Sequence, residues 1–150
     1  MYEHSFVRLL AALTLAAAPL AAQVSVLPGT GCPGAAAVTV SGPPRINTTV
    51  NFEWSCTGTD IPMLIFGDVQ RPPLPLPPVV VCGGASFCML GVQPAVAIQG
   101  PVGMLHSVPV PIPDDVLLVG AVIGVQGLCV GQLPRLCVTL SQAIAVRVMM

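Results

Sequence analysis

Val50-Asn51-Phe52-Glu53-Trp54-Ser55-Cys56 is the stretch whose reading decides the fold. Val50, Phe52, Trp54 and Cys56 share one parity, and Asn51, Glu53 and Ser55 the other. That is the two-residue period of a strand with one face in a core and one toward water, and it places Trp54 inside. A second alternating stretch closes the chain, with Leu140, Ile144, Val146 and Val148 set against Ser141, Ala143, Ala145 and Arg147 and only Gln142 interrupting. Between the two lie short β-rich runs at 37–40, 63–66, 79–81, 95–98, 105–112 and 119–125, each bounded by Gly or Pro. No helix-period segment of useful length occurs. The expected fold is all-β, an immunoglobulin-like β-sandwich, with at most one helical turn near 114–118 capped by Asp114. The most apolar segment, 116–130, is divided by Gly120, Gly124, Gln126 and Gly127, and reads as a buried strand instead of a membrane span.

Two proline-rich pieces refine the picture. In Val108-Pro109-Val110-Pro111-Ile112-Pro113 the prolines share a parity. Residues of one parity direct their N–H groups toward one neighbour, so this segment reads as an edge strand with one side stripped of donors. Pro72-Pro73-Leu74-Pro75-Leu76-Pro77-Pro78 reads as a polyproline-II surface connection.

Residues 1–22 open with a short polar stretch carrying Arg8, run apolar from Leu9 to Ala18 and end on Pro19-Leu20-Ala21-Ala22. About ten apolar residues are too few for a bilayer core, which takes about 20. The pattern is that of a secretory signal peptide cut after Ala22. The expected organisation is therefore a leader at 1–22, an N-terminal strand or arm at 23–31 and a β-sandwich domain at 32–150, secreted or at the cell surface. All six cysteines, Cys32, Cys56, Cys82, Cys88, Cys129 and Cys137, follow the leader, and an even number in an exported chain implies a disulfide framework. Proximity in sequence favours Cys82 with Cys88 and Cys129 with Cys137, leaving Cys32 with Cys56. Spacings of C-x5-C and C-x7-C do not match zinc modules, and no metal or other cofactor is expected.

Of 150 residues, 54% are apolar and 7% charged, the net charge is −1, and all five Lys+Arg positions are Arg. No basic surface is available for nucleic acid, and absence of Lys removes Schiff-base and P-loop lysine chemistry. No G-x-S-x-G elbow is present, Ser86 sits between Cys82 and Cys88, and His106, the one His after the leader, reads as a surface residue and not as a base. Asp114-Asp115 lacks the spacing of a calcium loop and suits a helix N-terminus. No catalytic or metal-binding residues are assigned, and the chain is read as a non-enzyme.

Asn47-Thr48-Thr49 is an N-x-[ST] acceptor, which makes a covalent glycan on Asn47 an expectation. After the leader the charged residues are Arg45, Arg71, Arg135 and Arg147 with Glu53, Asp60, Asp68, Asp114 and Asp115. A soluble domain usually carries about a quarter to a third of its surface as charge, so something else is expected to cover this one. Val24 and Val26 alternate with Ser25 ahead of Leu27-Pro28-Gly29. This strand either pairs within its own domain or adds to a neighbour's open edge, with Val24, Val26 and Leu27 as assembly contacts.

Gly29-Thr30-Gly31-Cys32-Pro33-Gly34, Gly42-Pro43-Pro44-Arg45-Ile46-Asn47, Ile61-Pro62-Met63-Leu64-Ile65-Phe66-Gly67, Val110-Pro111-Ile112-Pro113-Asp114 and the stretch 140–148 together resemble a domain family of exported proteins from planctomycete-like bacteria. The likeness runs through nearly all of 29–148 in the same order and rests on turn and core residues. It implies an extracellular β-sandwich and a link to self-assembling fibrils, with no catalytic residues to carry over. In that family the domain often closes a larger protein, whereas here it directly follows the leader.

The function expected from these features is an extracellular structural protein, a homo-oligomer or filament subunit. The alternative is a carbohydrate- or cell-surface-binding module, which would need an exposed aromatic platform.

Overall fold

The alternation in 50–56 has the expected consequence in space. In the computed structural model, which describes residues 23–82, 87–101, 105–132 and 136–150, Val50, Phe52 and Trp54 point into a core while Asn51 and Glu53 stay partly exposed. Residues 1–22, which the sequence suggests as a leader, and Ser86 and Arg135 lie outside the described residues. The strands are β1 (Val24–Val26), β2 (Thr39–Ser41), β3 (Thr48–Ser55), β4 (Ile61–Pro75), β5 (Met89–Gln99), β6 (Leu105–Ile112), β7 (Val122–Val130), β8 (Val138–Leu140) and β9 (Ile144–Arg147). They form two sheets, one ordered β1-β9-β7-β4-β5 with β8 also on β7, the other β2-β3-β6, and every strand pairing is antiparallel. The main core lies between the sheets: Val50, Phe52, Trp54 and Val108 from one meet Leu64, Val125, Ile144 and Val146 from the other. The fold is thus all-β and sandwich-like.

β7 is buried on both faces. Its odd residues Val125 and Cys129 enter the inter-sheet core, while a Cβ on Gly124 would meet Val92 and the Gln126 side chain bonds to Gly91 on the opposite face. A further layer therefore covers the outer side of the six-stranded sheet. It is made by the 27–32 segment and the far half of the β4–β5 ribbon, and Leu27, Ile65, Val92 and Ala143 pack there. The ribbon bends at register shifts between Phe66 and Gly67 and between Val69 and Leu74. Gly67 is required at the first, because a Cβ would collide with the Gln93 carbonyl oxygen.

The C-terminal alternation is split by a similar shift. Leu128 faces Leu140, but Val125 faces Ile144, so the chain takes in one extra residue around Gln142. One added residue exchanges the faces of a strand. Leu140 consequently packs with Val81 and Cys88 on the outer side, and Ile144 and Val146 enter the inter-sheet core.

All six cysteines are paired, but not by sequence proximity: the bonds are Cys32–Cys88, Cys56–Cys129 and Cys82–Cys137. This corrects the pairing expected from spacing. Backbone contacts brought together by the sheets decide it. Gly31 and Met89 exchange amide bonds of 2.8 and 2.9 Å, setting Cys32 beside Cys88. Val81 bridges Val138, setting Cys82 beside Cys137. Cys56 follows β3, Cys129 lies in β7, and their bond crosses between the sheets. Each closes a loop with a sequence separation of 55 to 73 residues. On the loop-entropy argument that is about 4 kcal/mol for one such bond, against about 2.5 for the short loops first expected.

Three further expectations are corrected. The run 79–81 is not a strand, since Pro78–Val80 forms a 3-10 turn. The segment 72–78 is not wholly a surface connection, since Leu74 and Pro75 rejoin β5 opposite Leu90 and Met89. The cap of the turn at Val116–Leu118 is Asp115, whose Oδ1 accepts from the Leu117 amide at 2.9 Å, and not Asp114. Among the described residues no helix is long and apolar enough to cross a membrane, and three disulfides point to an oxidising, non-cytoplasmic environment.

Protease digestion of the unreduced protein is expected to yield peptides joining Cys32 to Cys88, Cys56 to Cys129 and Cys82 to Cys137, and none joining Cys82 to Cys88. Mass spectrometry before and after reduction checks this.

Candidate functional site: the sheet edges

A sheet that does not close presents unpaired N–H and C=O groups at its edges, and these are the main sites for strand addition. Among the described residues β1 and β5 end the larger sheet, β2 and β6 the smaller, and β8 lies off that path on β7 with Leu140 accepting from the Cys32 amide on its other side. β1 and β2 are three residues each. β6 pairs with β3 along its whole length, from Thr48 opposite Ile112 to Ser55 opposite Leu105. Pro109 and Pro111 have no N–H to give, so the ladder must use His106, Val108, Val110 and Ile112, and the free side of β6 lacks donors at both prolines. This is the blunted edge strand read from the sequence.

β5 is different. Gly100 donates to the Pro62 carbonyl at 2.9 Å. By alternation Ile98 and Val96 turn their N–H groups to β4, while Gln99 and Ala97 turn theirs to solvent. Residues 93–99 carry no charge, and Ala95, Val96, Ala97 and Gln99 are all exposed. Val96 lies opposite Phe66 yet is 55% exposed. The sequence shows 95–98 as a β run. What could have marked it as an edge is the bracketing of a proline-free stretch by Pro94 and Pro101.

Val24, Val26 and Leu27 are placed within the chain's own domain. β1 pairs with β9, Val24 opposite Val146 and Val26 opposite Ile144. Leu27 is buried and its amide donates to the Ala143 carbonyl at 2.8 Å, so it supplies no exposed contact, whereas Val26 is 51% exposed. Asn47 is exposed on the turn before β3 with φ of 57°, a left-handed conformation that Asn tolerates. Thr48 Oγ1 fixes that turn by donating to the Pro43 and Arg45 carbonyls.

The buried polar side chains were not anticipated. His106 is fully buried, which corrects its reading as a surface residue. It shares the inward parity of Val108 and Val110, the signal that could have found it. Its ring lies 5.4 Å from that of Trp54, directly across the β3–β6 ladder. Among the described residues neither ring nitrogen of His106 nor Nε1 of Trp54 has a hydrogen-bond partner, and no hydroxyl or carboxylate of those residues engages the imidazole. Gln126, equally buried, is fully engaged. Its Oε1 accepts from the Gly91 amide at 2.9 Å, and its Nε2 donates to the Ser141 and Met89 carbonyls at 2.8 and 3.2 Å.

A cleft of about 550 Å³ lies between the 33–37 loop and the end of β3, and among the described residues that line it Glu53 carries the charge. Among the described residues no group of three or more His, Cys, Asp or Glu could hold a metal ion. Compared with known proteins, the chain matches no protein-family model, no curated protein and no solved structure.

The two buried polar residues should respond oppositely to replacement. His106→Leu removes unpartnered polar atoms and is expected to leave stability unchanged or raise it by up to about 2 kcal/mol. Gln126→Leu strands the Gly91 amide and the Ser141 carbonyl, while the Met89 carbonyl keeps its bond from the Gly31 amide, and is expected to cost about 2–4 kcal/mol. Urea unfolding of the oxidised variants measures both.

Proposed function

We propose that this protein is an extracellular structural protein that assembles with copies of itself into a filament or surface layer. The observation that carries the reading is the long, uncharged and unblocked edge at β5, in a domain whose other long edge is blunted. Exposed apolar side chains support it: Val116 and Leu117 are 70% and 87% exposed, Val79 87% and Leu136 68%. Burial of such residues between like subunits offsets the cost of leaving them in water. Contacts at the two ends of the larger sheet extend that sheet from subunit to subunit, and at one end the N-terminal strand β1 adds to the neighbour. A glycan on exposed Asn47 covers part of the remaining surface. The inter-sheet Cys56–Cys129 bond beside buried Trp54 supports an immunoglobulin-like classification of the sandwich.

One observation favours a second reading, a carbohydrate- or cell-surface-binding module. The cleft of about 550 Å³ is lined by Glu53 and by Thr39, Thr57 and Ser141. Against it, Trp54 is buried, and Phe87, 68% exposed, does not line that cleft.

Electron microscopy of the exported, oxidised protein, with sedimentation over a concentration series, tests the proposal. Regular fibrils or sheets are expected. Dispersed monomers at every concentration overturn it, and heat on titration with cell-wall glycans would then favour the second reading.

A further inference from the structure

We infer that β5 pairs antiparallel with β5 of a second copy about a two-fold axis through Ala97. The inference rests on the self-assembly reading and names its contact. Three observations lead to it.

The first is availability. Of the two long edges, β6 offers no donor at Pro109 or Pro111, whereas β5 turns the N–H and C=O of Ala97 and Gln99 outward, as the Gly100 to Pro62 bond requires. A long apolar edge left open is a hazard for any secreted β-domain, so its contrast with the blunted β6 calls for a regular occupant.

The second is charge. Residues 93–99 hold no ionisable side chain. Nothing there selects an acidic or basic partner, and nothing repels an identical strand. A two-fold contact uses the same patch on both sides, and an uncharged edge meets that condition at no electrostatic cost.

The third is register. Pro94 and Pro101 bound the pairing segment, and Ala97 stands at the middle of 95–99. An axis through Ala97 sets Ala97 against Ala97, so that its outward N–H and C=O meet those of the other copy, with Gln99 facing Ala95 at the register shift. The same register places Val96 against Ile98 of the other copy. Both face the inter-sheet side, as their partners Phe66 and Leu64 do. Val96 is 55% exposed in the single chain, and the cross-strand contact gives it the apolar cover it lacks. The larger sheets of the two copies become one.

The test compares the oxidised wild type with Ala97→Lys and Ala97→Pro. Lysine sets like charges across the axis, and proline removes the outward N–H as Pro109 and Pro111 do on β6. Intact mass and thermal melting verify that all three disulfides and the fold persist; should the proline variant fail this check, the lysine variant alone decides. Sedimentation equilibrium is expected to show association weakened at least tenfold in either variant. Hydrogen exchange in the wild type is expected to show the Ala97 and Gln99 amides gaining protection as concentration rises. Association unchanged in the variants, with those amides still exchanging freely, overturns the β5 contact and leaves self-assembly standing. A wild type that stays monomeric overturns both.

Discussion

The buried carboxamide of Gln126 ties together three parts of the chain. It sits on β7, accepts from Gly91 on β5 and donates to Ser141 in the link between β8 and β9. A polar side chain removed from water is tolerable only when its donors and acceptors are met, and here they are met by two other segments at once. Around this point the outer layer is laid down. Gly91 must be a glycine because a Cβ would strike Thr30 and Ala143, and Thr30 in turn donates to the Leu27 carbonyl and accepts from the Ala143 amide. The inter-sheet core follows from apolar alternation alone, whereas the outer layer depends on this polar knot.

That difference explains how much could be read from the chain. The alternation in β3 and the proline parity in β6 are local, because each residue's direction is set by its neighbours two places away. They gave the buried Trp54 and the blunted edge directly. The disulfide pairing was not local. Cys88 meets Cys32 because a bridge between Gly31 and Met89 aligns them, and no spacing rule contains that bridge. The C-terminal stretch lies between these cases. Its interruption at Gln142 was visible, but that the interruption sends Leu140 and Ile144 to opposite faces follows only from the change in pairing along β7.

The candidate site was legible in part for the same reason. That β1 is a strand could be read from Val24 and Val26, but not that it would lie on β9. The run at 95–98 could be read as β, but its position at the end of the larger sheet depends on the order of strands. His106 shows how a weak prior about residue type can override a stronger positional signal: its parity with Val108, Val110 and Ile112 pointed inward from the start, and the imidazole packs on Trp54 accordingly.

The three disulfides also overlap along the chain. The loop from Cys32 to Cys88 encloses Cys56 and Cys82, the loop from Cys56 to Cys129 encloses Cys82 and Cys88, and the loop from Cys82 to Cys137 encloses Cys88 and Cys129. No stretch between Cys32 and Cys137 escapes at least one of them. A protease that cuts a single peptide bond anywhere in that span therefore releases nothing. Both halves stay covalently joined, so that a single cut leaves the chain in one piece for as long as the bonds stay oxidised.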